Sequence, residues 1–266
     1  MLFRSGSHRG GQGYVDRGEP AMAADMLLAA GFADDAAAVL AALTHPQLEP
    51  VDLAELRNVI DRLPDSAIAA HPRLLLNLAH QCAPAAMTRV RAAALERAQG
   101  LLDPDADGAL WREIGAEVAR DLVWEDRQQE AEVLATSLLE RTGSGEELTR
   151  ARLLEVLGRA ASFQKDDVHL GYAEERLEIA ARTYRAHEQW TWLSTLMSPL
   201  AIWVHLPRGA FDAAIRCLDE ALALVPHHRL NRGVILTFRA EVLTSIGRYE
   251  EAADSQRPIQ IGRAHV

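Results

Sequence analysis

Gly209-Ala210-Phe211-Asp212-Ala213-Ala214-Ile215-Arg216-Cys217-Leu218-Asp219-Glu220-Ala221-Leu222-Ala223-Leu224-Val225-Pro226 is the stretch that decides the fold. Its apolar residues Phe211, Ala214, Leu218, Ala221, Leu222 and Val225 recur with a period near 3.6, which places them on one helical face. Glycine opens the segment, where a tight turn needs a residue free to take positive φ, and proline closes it. The same opening returns at Gly247-Arg248-Tyr249-Glu250-Glu251-Ala252 and, with the aromatic one place closer, at Gly31-Phe32-Ala33-Asp34-Asp35-Ala36. Pieces starting near Ala131 and Ala173 fit the series less well. From Ala173 the apolar positions Leu177, Ala180, Ala181 and Tyr184 again share one face. A recurrence of about 40 residues is the range of helical-hairpin repeats. No stretch alternates with a period of two for long. Val234-Ile235-Leu236 reads as a short strand in isolation, but it lies inside a helical pattern through Phe238, Val242 and Ile246.

Composition agrees. The 266 residues are 48% hydrophobic and 25% charged, with only 5% aromatic rings and a large share of alanine. Such a chain is well cored, and small residues favour close helix packing over a β-sandwich. The net charge of −10 and the lack of a basic tract argue against this segment gripping nucleic acid. Two distant cysteines, Cys82 and Cys217, suggest neither a disulfide scaffold nor a zinc site. One lysine, Lys165, stands among 28 basic residues, which with the alanine content points to a GC-rich bacterial source. No glycine loop precedes it, so a P-loop is absent from the sequence.

Gly209, Phe211, Ala214, Leu218, Ala221, Leu222 and Pro226 match the second helix of a tetratricopeptide repeat, which this segment resembles. The first half is similar to the helical-repeat arm of MalT-like, LuxR-type large ATP-binding bacterial transcription regulators. That resemblance rests on Gly18-Glu19-Pro20, Leu63-Pro64 and His71-Pro72-Arg73-Leu74. It spans roughly residues 13–256, and the register between about 85 and 170 stays open. The resemblance implies an all-α, right-handed superhelical solenoid of about six hairpins. It also implies a sensor or interaction arm for a small-molecule inducer or a protein partner in the cytoplasm. ATP would bind only in an upstream module, and DNA only through a C-terminal one. No cofactor, membrane contact or enzymatic activity is expected of the arm itself. A stand-alone tetratricopeptide scaffold for protein partners is the alternative.

The ends read differently. Met1-Leu2-Phe3-Arg4-Ser5 and Ile261-Gly262-Arg263-Ala264-His265-Val266 resemble translations of the two strands of a sequencing-library adapter. Residues 1–5 and 261–266 are therefore expected to be foreign. Residues 6–260 would then form a repeat domain truncated at both ends.

Three features invite a chemical reading. Asp103-Pro104-Asp105-Ala106-Asp107-Gly108 begins like a calcium loop, but the twelfth position is Ile114 and Glu113 falls one place early, so a helix-connecting turn is expected. The histidines, including His227-His228, show no metal-ligand spacing. Trp190 to Leu206 carries no charge, yet it is short and polar for a membrane span, so a buried repeat helix bent or ended at Pro199 is expected. Tyr184, Trp190, Trp192, Trp203 and His205 gather around that segment. Core packing is the default for each ring. Trp190 and Trp192, two residues apart, cannot share a helical face, which leaves one to line a groove and stack on a sugar or peptide ligand.

Overall fold

The computed structural model describes residues 19–48, 50–82, 87–225 and 229–263. Among these every regular element is a helix and none is a strand. No helix among them is long and apolar enough to cross a membrane. Gly18, Pro226, His227, His228, residues 1–5 and residues 264–266 lie outside the described residues. The backbone of 261–263 continues the last helix.

The chain divides into two compact units, residues 1–114 and 115–266. In the first, α1 (Pro20–Ala29) and α2 (Ala33–Ala41) form a hairpin around Gly31, whose φ is +85°. The Phe32 amide closes the turn on the Leu27 carbonyl at 2.9 Å, the helix-ending bond that a left-handed residue makes possible. Pro20 supplies the preset φ at the start of α1. After the short α3 (His45–Leu48), Asp52 caps α4 (Leu53–Arg62) by accepting from the amides of Ala54 and Glu55 at 2.8 and 3.0 Å. Leu63-Pro64 and His71-Pro72 interrupt the helices on either side of α5 (Asp65–Ala70). Beyond them come α6 (Arg73–Cys82) and α7 (Thr88–Gly100). Ala23, Ala24, Ala36 and Ala37 are buried, as are Leu40, Leu56, Leu74 and Leu76, and α1 packs on α2 with these small residues enclosed. Asn77 donates to the Leu40 carbonyl at 2.8 Å, satisfying a helix-terminal acceptor inside the core.

The second unit takes its start within α8 (Gly108–Trp124). It continues with α9 (Gln128–Arg141), α10 (Glu147–Ser162), α11 (Asp167–Ala186) and α12 (Trp190–Pro199). A π-helical turn, Leu200–His205, then precedes α13 (Phe211–Leu224), α14 (Arg229–Ser245) and α15 (Tyr249–Arg263). From α9 onward, helices adjacent in sequence pack against each other. Val234-Ile235-Leu236 is helical, inside α14. Asp126, Lys165, Gly209 and Gly247, the residues in the turns of four successive hairpins, all have positive φ between 58° and 77°. Three of these turns share one bond: the amides of Arg127, Ala210 and Arg248 reach the carbonyls of Leu122, His205 and Leu243, each at 2.9 Å. Turn geometry recurs where glycine is missing, at a strain cost of about 1–2 kcal/mol for each non-glycine residue.

The core of this unit holds Leu177, Ala180, Tyr184, Leu193, Leu196, Ala201, Val204, Ala214, Leu218 and Ala221. Gly158 lets α10 approach α11 closely: an added Cβ there would meet Leu177 Cγ at 2.8 Å and the Ala173 carbonyl at 3.1 Å. The uncharged segment is buried from Leu193 to Val204 except for the half-buried Thr195, Ile202 and Trp203, while Trp190 at its start is exposed. Pro199 ends the α-helical part, and the chain goes on as the π-turn, with the Leu206 amide bonded to the Ala201 carbonyl.

Candidate functional site

The site begins with α10. Arg152, Glu155 and Arg159 are three and four residues apart and so share one face. That face is buried: Glu155 is wholly enclosed, and Arg152 and Arg159 nearly so. Glu155 is surrounded. Its Oε1 accepts from Arg159 Nε at 3.0 Å and Nη2 at 2.6 Å. Its Oε2 accepts from Arg152 Nη1 at 3.0 Å and from the Tyr184 hydroxyl on α11 at 2.7 Å. A second carboxylate extends the chain of charges. Glu117 on α8 meets Arg152 Nε at 2.8 Å and Arg120 Nη2 at 2.9 Å.

Each charge state follows from this enclosure. Burial pushes the Glu155 carboxyl up, but Arg159 and Arg152 outweigh it and hold the group below the usual carboxylate range. Burial works against the Arg152 cation, and Glu117, Tyr184 and Glu155 more than offset it. Burial drives the Tyr184 hydroxyl well above its ordinary value against the pull of Arg152, with Glu155 and Glu117 adding to the rise. Tyr184 is therefore a proton-bearing donor and Glu155 an ionised acceptor.

Aromatic rings enclose the arginines. Arg152 Cζ lies 4.1 Å from the Trp192 ring centre and 5.7 Å from that of Tyr184. Arg159 Cζ lies 5.4 Å from Trp124 and 5.8 Å from Trp203. Trp203, carried by the π-turn, stands edge-on to Trp124 at 5.9 Å and tilted against Phe163 at 5.3 Å. Tyr184 and Trp192 meet edge-on at 5.6 Å. Positive groups beside ring faces are favoured by the aromatic quadrupole. Two donors in this enclosure, Arg152 Nη2 and Arg159 Nη1, are buried with no hydrogen-bond partner among the described residues. Buried polar groups in proteins are seldom left so.

The expected groove residues separate. Tyr184, Trp192 and Trp203 belong to the arginine–aromatic centre. Trp190 is 42% exposed. His205 turns to Glu174, with Nδ1 3.7 Å from Oε1, and Arg208 bonds the other oxygen of that carboxylate. Burial lowers the His205 pKa against the pull of Glu174 and Glu178. Glu117, Arg120, Trp124, Arg152, Glu155 and Arg159 join the centre although none of them is among the expected groove residues. The last three carry no mark of burial in the sequence: spaced three and four apart on α10, they form a single charged stripe like the solvated face of an amphipathic helix.

Other candidates resolve locally. Asp103-Pro104-Asp105-Ala106-Asp107-Gly108 forms a turn in which Asp103 Oδ1 accepts from the amides of Asp105 and Ala106 at 2.8 and 3.2 Å. Asp107 accepts from the Asp103 amide at 3.0 Å. Among the described residues no cluster of His, Cys, Asp or Glu is arranged to hold a metal ion. Burial pushes the Cys217 thiol up to about 11 and raises that of Cys82. A shallow groove of about 520 Å³, lined by Leu122, Gln129, Glu130, Val133, Leu134 and Ser137, includes neither Arg152 nor Arg159. No protein-family model matches the chain, and no curated protein matches it.

Proposed function

We propose that this chain is the sensor and interaction arm of a bacterial transcription regulator of the LuxR/MalT type. In this reading its hairpins continue as a right-handed, tetratricopeptide-like solenoid in the cytoplasm. The arm catalyses nothing. It binds a small ligand or a protein partner and relays that event to ATPase and DNA-binding modules encoded beyond it. The observation that carries the reading is the buried arginine–aromatic centre of the second unit, joined to the tetratricopeptide-like pattern of Gly209–Leu224. Five helical segments of successive hairpins contribute side chains to that one polar centre, so a ligand that alters it is felt by all of them.

The gene decides the matter. Reading the parent frame through both ends should reveal a P-loop ATPase upstream and a helix-turn-helix downstream. A frame lacking both would overturn the regulator and leave a stand-alone repeat scaffold.

A further inference from the structure

Trp124 and Phe163 stand at matching places in two successive hairpins, each two residues ahead of the positive-φ residue that turns the chain, Asp126 and Lys165. Both rings lean on Trp203 of the π-turn, with ring centres 5.9 and 5.3 Å away, so the three make one continuous ledge. Its base is closed by Arg159, which lies against Trp124 and Trp203. Its outer side is open: Trp124 is 61% exposed and Phe163 41% exposed. Contiguous aromatic surface left in water marks a protein contact, and tryptophan is the ring that most often anchors one.

The two turns set the charge around the ledge. Glu125-Asp126-Arg127 and Lys165-Asp166-Asp167 are all exposed, four carboxylates against two cations. Arg127 is already engaged, by Glu125 at 3.1 Å and by Glu130 of α9 at 2.8 and 2.7 Å. Asp126 accepts from the neutral Gln128 amide at 2.8 Å and keeps its charge uncompensated there. In the buried centre behind the rings, Arg120, Arg152 and Arg159 meet two carboxylates, Glu117 and Glu155. That single positive excess is smaller than the excess of carboxylate on the turns, so this edge is acidic.

We infer that this ledge docks a basic protein segment in which an arginine neighbours an apolar residue. The guanidinium lies on the open face of Trp124 and pairs with the turn carboxylates, and the apolar side chain covers Phe163. A planar, weakly hydrated guanidinium stacks on indole and meets carboxylates with the same group, so ring and acid act on one side chain. An acidic segment, a nucleic acid or an anionic membrane is repelled by the same carboxylates. This inference rests on the interaction-arm reading, whose partner class it names.

Calorimetric titration of the full chain with a hexapeptide of alternating arginine and leucine, and with its glutamate–leucine counterpart, tests it. The arginine peptide should bind saturably and the glutamate peptide at least about tenfold more weakly. Trp124→Ala should lose at least about fivefold in affinity for the arginine peptide, the least that an anchoring ring is worth. Asp126→Asn/Asp167→Asn keeps every ring and should lose at least about threefold, as expected for two exposed ion pairs. Trp190→Ala, an exposed ring outside the ledge, should bind as wild type does. Full affinity in the double asparagine variant, full affinity in a folded Trp124→Ala, an equal loss in Trp190→Ala, or no saturable heat would each overturn the assignment. A dimer in light scattering that Trp124→Ala dissolves would give the ledge to a second copy of this chain and overturn it too. A silent titration leaves the parent frame to decide the regulator reading. A frame without the two modules leaves the titration standing.

Discussion

Tyr184 on α11 donates its hydroxyl proton to Oε2 of Glu155 on α10 at 2.7 Å, in a setting where both side chains are wholly buried. The bond ties two helices that pack extensively against each other, α10 and α11, to the ionic centre. Removing the hydroxyl while keeping the ring should cost about 1.5–3 kcal/mol, the worth of a hydrogen bond to a charged acceptor. Urea unfolding of Tyr184→Phe measures it. Stability equal to wild type would mean that the arginines alone satisfy Glu155.

Gly158 and Gly233 are both helical, and alanine should act on them in opposite directions. At Gly158 a methyl would stand 2.8 Å from Leu177 Cγ and 3.1 Å from a backbone oxygen that cannot step aside, whereas at Gly233 it would meet nothing within 4 Å. Gly158→Ala should destabilise by roughly 1–3 kcal/mol through overpacking. Gly233→Ala should stabilise by up to about 1 kcal/mol through helix propensity. Paired chemical denaturation curves shifted in the same direction would refute the packing argument.

Lys165 holds φ at +58° in the turn between α10 and α11. Glycine there relieves the left-handed strain but adds freedom to the unfolded chain, so the net gain for Lys165→Gly should be about 0.5–1 kcal/mol. Gly209→Ala, imposed at φ +69°, should lose about 1 kcal/mol. Thermal midpoints of the two variants should move apart. Any stabilisation by Gly209→Ala would contradict the turn geometry.

Ala214 is fully buried on α13, and Ala223, on the same helix, is exposed. Leucine at 214 should overpack the contact with its neighbours and cost roughly 1–3 kcal/mol. The same change at 223 should be nearly neutral. Equal midpoints in urea would show that the helix is seated differently.

Acid should weaken the protein in two stages. Burial lowers the His205 pKa below its ordinary 6.5, so the unfolded chain takes up this proton first, and stability present above about pH 6.5 is lost as pH falls through the folded value. Glu155 is held below its ordinary range once Arg159 and Arg152 outweigh its burial, so its contribution is complete above about pH 4.3 and fades only in stronger acid. Thermal midpoints between pH 3 and 8 should thus show an upper step that His205→Gln abolishes and a lower one that it leaves in place. An upper step unchanged in that variant would assign the transition elsewhere.

Local features were legible in one dimension. Apolar spacing places helices over Ala173–Tyr184 and Phe211–Leu224, because side chains 3.6 residues apart share a face whatever surrounds them. Gly31, Gly209 and Gly247 mark turns, because glycine alone takes positive φ without strain, and all three have it. Asp126, Lys165 and Glu188 take the same conformation with no such mark, since packing on either side of a turn can force a residue that would not choose it. Arg152, Glu155 and Arg159 have the spacing of an ordinary solvated helix face. What buries them is Glu117, Trp124, Tyr184, Trp192 and Trp203, brought in from four other helical segments. The fate of a charged side chain depends on which distant residues surround it, and that is a property of packing rather than of sequence neighbourhood.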